Sequence, residues 1–148
     1  MKLTPFAAAL CLAAVPAFAA PLIPDEPMSL GNAEVVCTGV GSAEDNPQWS
    51  AYPIRMVFSN SGGQFVSGVN ISLRNSNGRQ IGQWDCDTPW ALLKLPAGNY
   101  RASVRLNETG AVRNASFSST GRYSSASYTG GYSGQKRVEI QFPLPPNQ

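Results

Sequence analysis

The chain has 148 residues, and its 11 basic and 9 acidic side chains give a formal net charge of +2 at pH 7. So small a charge leaves no electrostatic footprint for nucleic acid or for an anionic membrane. The sequence contains no histidine, which excludes Ser-His-Asp and Cys-His catalysis, the common histidine zinc sites and histidine acid–base chemistry.

Residues 1–19 have the pattern of a signal peptide. Lys2 supplies a short positive region, residues 6–15 are almost continuously apolar, and Ala17-Phe18-Ala19 places small residues where a signal peptidase reads them. Cleavage is predicted after the last residue of that triplet, with Ala20 as the alternative. The apolar run is too short to span a bilayer, and no later stretch reaches that length. We therefore expect a periplasmic or secreted protein without a transmembrane segment.

Export determines how the cysteines are interpreted. Removal of the signal leaves Cys37 and Cys86, and in an oxidising compartment an isolated pair predicts a disulfide. Closing a loop of about 50 residues would stabilise the fold by about 4 kcal/mol in the chain-entropy model. The alternatives are two unpaired buried thiols or a redox-active pair, but the latter usually has C-x-x-C spacing, which is absent here.

The mature chain is predicted to be a proline-rich lead-in followed by a single all-β domain. Residues 20–33 include three prolines and little that could pack, which favours a flexible or polyproline-like segment. After them come short alternating runs with no helical period. Strands are predicted at residues 34–38, 54–59, 69–74, 80–85, 90–95, 100–107, 111–117 and 138–142. Seven or eight short strands predict a sandwich or barrel over residues 34–143, with a tail at 144–148.

Two turns have specific sequence signals. Asn77-Gly78 is the strongest hairpin signal, because both residues tolerate positive φ. Leu95-Pro96-Ala97-Gly98 predicts a tight turn, since proline fixes the backbone at its entry. Tyr100 follows this turn and can return an amphipathic ring to the sheet, with its hydroxyl free to bond a nearby carbonyl.

These elements together carry a family resemblance. The residues that carry it are Val69-x-Ile71-x-Leu73, Asn77-Gly78-Arg79, Trp90 and the run 92–104 around Pro96, Gly98 and Tyr100. This pattern resembles the carboxypeptidase regulatory-like, or transthyretin-like, sandwich, in particular short exported proteobacterial members. The resemblance implies a single antiparallel, transthyretin-like or Ig-like β-sandwich, and says almost nothing about function. Its catalytic relatives, hydroxyisourate hydrolases and intradiol dioxygenases, depend on histidines that this chain lacks.

A segment rich in Ser, Gly, Thr and Tyr, residues 118–135, is the first candidate for a binding surface. Tyrosine offers a large amphipathic contact area, and small residues offer adaptability, as in recognition loops. The predicted binding residues are Arg122, Tyr123, Tyr128 and Tyr132. The rings could equally stack on sugars, and the segment could instead be a long low-complexity connection with no partner. Trp49 and Tyr52 could join this surface or cap the core.

Arginines form the second candidate. Arg101 and Arg105 point to one face of their strand with Ser103 between them, and Arg74 and Arg137 could lie on outward faces too. Such residues could form an anion-binding strip. The alternative is that they are the solvated side of a sheet, where they discourage edge pairing.

Two aspartates are the third candidate. Asp85 and Asp87 flank Cys86 and would project to one side of an extended chain. A like-charge pair could bind a hard cation or support hydrolysis. The simpler interpretation is two turn-region aspartates that hold backbone amides beside the disulfide.

The sequence as a whole predicts a non-catalytic periplasmic binding or structural module. The expected partner is another periplasmic or cell-envelope protein, and a carbohydrate or cell-wall ligand is the alternative. A small carboxylate-dependent hydrolase is the third hypothesis. No cofactor, metal or nucleic-acid partner is predicted.

Overall fold

A computed structural model describes residues 22–41, 46–121 and 135–145 of the chain. Its regular structure consists mainly of strands, with a short 3-10 helix at Pro47–Ala51. In chain order the strands are β1 (Met28–Leu30), β2 (Ala33–Thr38), β3 (Ile54–Asn60), β4 (Val69–Asn75), β5 (Gln80–Cys86), β6 (Trp90–Lys94), β7 (Gly98–Leu106), β8 (Val112–Ser119) and β9 (Lys136–Phe142). Across the described residues, no helix is long and apolar enough to cross a membrane.

The strands form two sheets. Sheet I has the order β1-β2-β6-β3-β9, and sheet II has the order β5-β4-β7-β8. Neighbouring strands are antiparallel except β3 and β9, which run parallel. The all-β sandwich predicted from the sequence is confirmed. The described residues contain nine strands rather than seven or eight, and the parallel β3–β9 pair departs from a purely antiparallel arrangement.

The core lies between the sheets, because the apolar side chains of each alternating strand point inward. On β4, Val69, Ile71 and Leu73 are fully buried, and Ile71 faces Val104 of β7 in the ladder. Sheet I contributes inward side chains from β2, β3, β6 and β9: Val35, Met56, Phe58, Ala91, Leu93, Ile140 and Phe142. Burying one large aliphatic or aromatic side chain stabilises the fold by roughly 1.5–3 kcal/mol. The polar residues between them on sheet II are left on its outer face.

Sheet I is apolar on both faces at its centre. Val36 and Leu92 point away from the main core and are nevertheless buried. They form a second cluster with Trp49 of the 3-10 helix and with Tyr52, which follows the helix. Burial on both faces explains why the centres of β2 and β6, residues 35–37 and 90–93, are continuously apolar in the sequence rather than alternating.

The disulfide joins the two sheets. Cys37 on β2 and Cys86 on β5 are bonded, their Cα atoms lie 5.7 Å apart, and the bond closes a sequence separation of 49 residues. Both residues are fully buried. The disulfide predicted from the export signal and the cysteine count is confirmed.

The N-terminal lead-in is more ordered than its composition indicates. The Leu22 amide donates to the Asp85 carbonyl at 3.1 Å, and the Leu22 side chain is buried. Strand β1 pairs with β2, and Leu30 packs directly over Gly82 of β5, where a Cβ would come within 2.7 Å of a Leu30 methyl group. Residues 22–30 therefore close one side of the sandwich, which differs from the flexible segment expected there.

The hairpin predicted at Asn77-Gly78 connects β4 and β5. Only Gly78 of the two residues takes a positive φ, at 77°. The Asn75 side chain accepts hydrogen bonds from the amides of Asn77 and Arg79, both at 3.0 Å. The turn is thus fixed by one glycine and one asparagine cap, rather than by two residues of positive φ.

The turn at Pro96 and the tyrosine that follows it, which we call the tyrosine corner, form as the sequence indicates. The Tyr100 hydroxyl donates to the Pro96 carbonyl at 2.7 Å, and its ring stacks on Phe117 of β8 with the centroids 6.0 Å apart. Burial raises the pKa of Tyr100, so the hydroxyl retains the proton that it donates.

Candidate functional site

The outer face of sheet II is a broad polar surface built by four strands. Residues directly opposite one another in the ladders form rows across it. These rows include Asp85, Asn70, Arg105 and Val112; Gln83, Ser72, Ser103 and Asn114; Gln80, Arg74, Arg101 and Ser116; and the pair Asn99 and Ser118. Except for Val112, every member is polar or charged, because the alternate positions on these strands supply the core.

One end of this face is internally hydrogen-bonded. The Asn70 amide nitrogen donates to the Asp85 carboxylate at 2.9 Å, and the Gln83 amide nitrogen donates to the Asn70 side-chain oxygen at 2.9 Å. Asp87 is exposed beyond the end of β5. In the described ranges, no three His, Cys, Asp or Glu side chains come together in a group that could hold a metal ion. These contacts give Asp85 a structural role and offer no support for a cation site or a hydrolytic pair with Asp87.

The other end carries two arginines directly opposite each other. Arg74 of β4 faces Arg101 of β7, and like charges at opposed positions destabilise a sheet. One guanidinium nitrogen of Arg74 donates to the Gly78 carbonyl at 3.1 Å. Arg101 makes no hydrogen bond or ion pair with any described residue. Ion pairs within the described part of the chain, Lys94–Glu34 and Arg137–Glu139, belong to sheet I.

A cleft of about 620 Å³ lies at this end of sheet II. We call it the cationic cleft: it contains Arg74, Arg101 and Lys136, and its walls include polar side chains such as Asn99 and Ser118. Lys136 begins β9 and reaches across to the edge strand β8, where its ammonium donates to the Ser118 hydroxyl at 3.0 Å and to the Ser118 carbonyl at 3.3 Å. None of the described lining residues carries a carboxylate.

The tyrosine-rich segment adjoins this cleft at both of its ends. Arg122, Tyr123, Tyr128 and Tyr132 lie outside the described residues. On the N-terminal side, the Ser119 hydroxyl donates to the Leu95 carbonyl at 2.9 Å. On the C-terminal side, the Gln135 amide donates to the Trp49 and Tyr52 carbonyls at 2.8 and 2.9 Å. Ser118 and Lys136, which line the cleft, are the immediate chain neighbours of these anchors.

Trp49 and Tyr52 do not contribute to an exposed surface. They are 1% and 3% exposed, respectively, and cap the outer face of sheet I. The Tyr52 hydroxyl donates to the Glu34 carboxylate. Desolvation by burial raises the pKa of Tyr52, and the hydrogen bond to Glu34 and the charge of that carboxylate raise it further. The alternative that these rings cap the core is confirmed.

Cations also cover the aromatic rings on the outer face of sheet I. Arg55 lies over the Trp90 ring at 4.7 Å, and Lys94 lies over the Tyr52 ring at 4.8 Å. Every Trp and Tyr within the described ranges is buried. Among those residues, Phe65 is the one strongly exposed aromatic side chain, at 57%.

The sequence identified part of this site. Alternation places Arg101, Ser103 and Arg105 on one face, as the structure shows. Alternation could not show that Arg74 lies opposite Arg101, because that pairing joins two strands that are not consecutive in the chain. The sequence also contained no sign of the role of Lys136, which reaches Ser118 from the other sheet. Arg137 lies outside the cleft and pairs with Glu139 at 2.7 Å.

Comparison with known proteins finds no match: no family model, no curated protein and no solved structure matches the chain.

Proposed function

We propose that this protein is a non-catalytic, exported binding module that contacts another protein through the outer face of sheet II. One observation carries this proposal: the two outer faces of the sandwich differ. The outer face of sheet I is covered at its centre by Trp49 and Tyr52, and its cations Lys94 and Arg137 pair with carboxylates. The outer face of sheet II has no such cover in the described residues, and it presents arginines that lack carboxylate partners there.

Arginine-rich surfaces of this kind suit protein recognition. Arginine is enriched at protein interfaces, where its guanidinium offers several hydrogen-bond donors in a fixed plane. The proposed surface is centred on Arg74 and Arg101 at the cationic cleft, and the tyrosine-rich segment would extend it from there. Tyrosine and arginine are the residue types that most often dominate binding energy.

Three features support export and the lack of catalysis. The N-terminal pattern with its cut after Ala19 fits a secretory signal, and the buried Cys37–Cys86 disulfide fits an oxidising compartment. The absence of histidine from the whole chain removes the commonest acid–base group. We also propose a relationship to carboxypeptidase regulatory-like sandwiches, on the basis of the sequence pattern around Pro96, Gly98 and Tyr100.

A glycan is the second candidate ligand. It is favoured by the tyrosine-rich segment, whose described neighbours lie at the cleft. Because every described Trp and Tyr is buried, stacking on sugars would have to come from Tyr123, Tyr128 and Tyr132. Loss of retention on peptidoglycan or polysaccharide when these three become Ser would support this candidate.

Site-specific photocrosslinking tests the proposed surface. A photoreactive residue at Asn114 would lie on the exposed outer face of sheet II, and one at Glu139 would lie on the outer face of sheet I. With cell-envelope extract, we expect a discrete protein adduct from position 114 and none from position 139. Equal adducts from both positions, or adducts from position 139 alone, would refute the assignment of the surface.

A further inference from the structure

We infer that the cationic cleft binds an acidic segment of the protein partner, with carboxylates at alternate positions of an extended chain. This inference rests on the proposed function, because it names the chemistry that the partner offers to the outer face of sheet II. Its evidence is the number of free donors in the cleft, the absence of a carboxylate among the described residues that line it, and the spacing of the cations.

The cleft retains donors that suit carboxylates. Arg74 uses one guanidinium nitrogen on the Gly78 carbonyl, and Arg101 uses none on any described residue. Both can therefore present a planar fork to a carboxylate, which is the geometry of a bidentate ion pair. Lys136 has three donors, and its two contacts with Ser118 hold the ammonium in place without exhausting them.

The fold provides no carboxylate to neutralise these charges among the described residues of sheet II. Asp85 is the carboxylate of this face, and it lies in the row of Asn70, four residues along β4 from Arg74. Four residues of strand span about 13 Å, which exceeds the Debye length of about 8 Å at physiological ionic strength. Asp85 also accepts a hydrogen bond from Asn70. A carboxylate of a partner would therefore lower the repulsion between Arg74 and Arg101, which no described carboxylate of sheet II lies close enough to lower.

The spacing of the cations favours an extended chain. Arg101 faces Ser116, whereas the Lys136 ammonium lies at Ser118, two residues further along β8. Along the strand direction these positions are about 7 Å apart, which is also the distance between alternate side chains on one side of an extended peptide. The sideways step from β7 to β8 is about 5 Å, which the long Arg101 side chain can span. One carboxylate of a Glu-x-Glu segment would lie at the arginine pair when the next lies at Lys136. A single phosphate would pair with the cations at one of these two positions and leave the other position without an anion.

Fluorescence anisotropy with labelled octapeptides tests the inference directly. The probes are alternating Glu-Ser, alternating Gln-Ser, and a peptide with four Glu followed by four Ser, which has the charge of the first in a different arrangement. We expect the alternating acidic peptide to bind most tightly, the grouped peptide more weakly and the neutral peptide not at all. Equal binding of the two acidic peptides would overturn the alternate spacing, and absence of binding would overturn the inference.

Matched variants locate the site. Arg101→Gln and Lys136→Gln should each weaken binding of the alternating peptide about tenfold, because each removes a charge-assisted contact. Arg105→Gln is the control: it lies on the same strand and face but faces Asn70 instead of a cation, so its effect should stay below about twofold. Equal losses in Arg101→Gln and Arg105→Gln would indicate general surface charge and refute the site. Thermal unfolding confirms that each variant is folded.

Two further measurements separate this inference from the proposed function. Displacement of the peptide by inorganic phosphate at equal concentration would assign the cleft to phosphate and overturn the carboxylate assignment. If the protein adduct from position 114 persists in Arg101→Gln, the proposed binding surface would be supported, but the inference that the cleft binds an acidic segment would be refuted. Peptide binding without any adduct would support the cleft and refute the protein partner.

Discussion

Arg101→Gln should stabilise the fold at low salt, because it removes one of two like charges that face each other across β4 and β7. The opposed Cβ atoms of such a pair lie about 5 Å apart, and the head groups can swing outward to about 7 Å. At that separation the repulsion in water is about 0.6 kcal/mol. Screening leaves about 0.5 kcal/mol at 0.01 M salt, and less than about 0.1 kcal/mol at 1 M.

Urea unfolding at the two salt concentrations measures this difference. Urea is uncharged, so ionic strength can be set independently of the denaturant. Arg101→Gln should raise the free energy of unfolding by about 0.5 kcal/mol at low salt, and the gain should disappear at high salt. Arg105→Gln, which faces no cation, should show no salt-dependent gain. A loss of stability in Arg101→Gln at low salt, or the same salt dependence in both variants, would refute the repulsion between Arg74 and Arg101.

Three further predictions concern the scaffold. Replacing Cys37 and Cys86 together with Ser should lower the free energy of unfolding by about 4 kcal/mol in urea denaturation, since the bond closes a loop of 49 residues; a loss below about 1 kcal/mol would contradict the entropic account. Tyr100→Phe should cost about 1 kcal/mol in the same assay, because it leaves the Pro96 carbonyl without its donor, and an unchanged midpoint would show that water replaces it fully. Above about pH 10, where tyrosines of the unfolded chain ionise, folded Tyr52 keeps its proton because burial and Glu34 raise its pKa. The free energy of unfolding should therefore fall as pH rises through this range, and the fall should be shallower in Tyr52→Phe; equal slopes in the two proteins would contradict the raised pKa.

Local signals in the sequence predicted much of the scaffold. The hairpin at Gly78 and the corner at Tyr100 depend on residues close in sequence, whose turn chemistry can be read directly. The disulfide followed from the compartment and from the count of two cysteines. Strand β1 was missed because it has three residues and follows Pro24 and Pro27, and its place depends on pairing with β2 and on Leu30 packing over Gly82.

The candidate site was less accessible from the sequence, because its key contacts join distant parts of the chain. Alternation along β7 predicts that Arg101 and Arg105 share a face, but it cannot distinguish them. Only the register with β4 shows that Arg101 faces Arg74 whereas Arg105 faces Asn70. Lys136 follows the inward alternation of β9, and its position at the edge of the sandwich brings its ammonium to Ser118.

The central claim is that the cationic end of the outer face of sheet II is a binding surface. Mapping amide chemical shifts by NMR, while the alternating Glu-Ser octapeptide is added, tests it most directly. We expect saturable shifts centred on Arg74, Arg101 and Lys136, with little change at Lys94 and Arg137 on sheet I. Shifts centred on sheet I, or spread evenly over all basic residues, would contradict it.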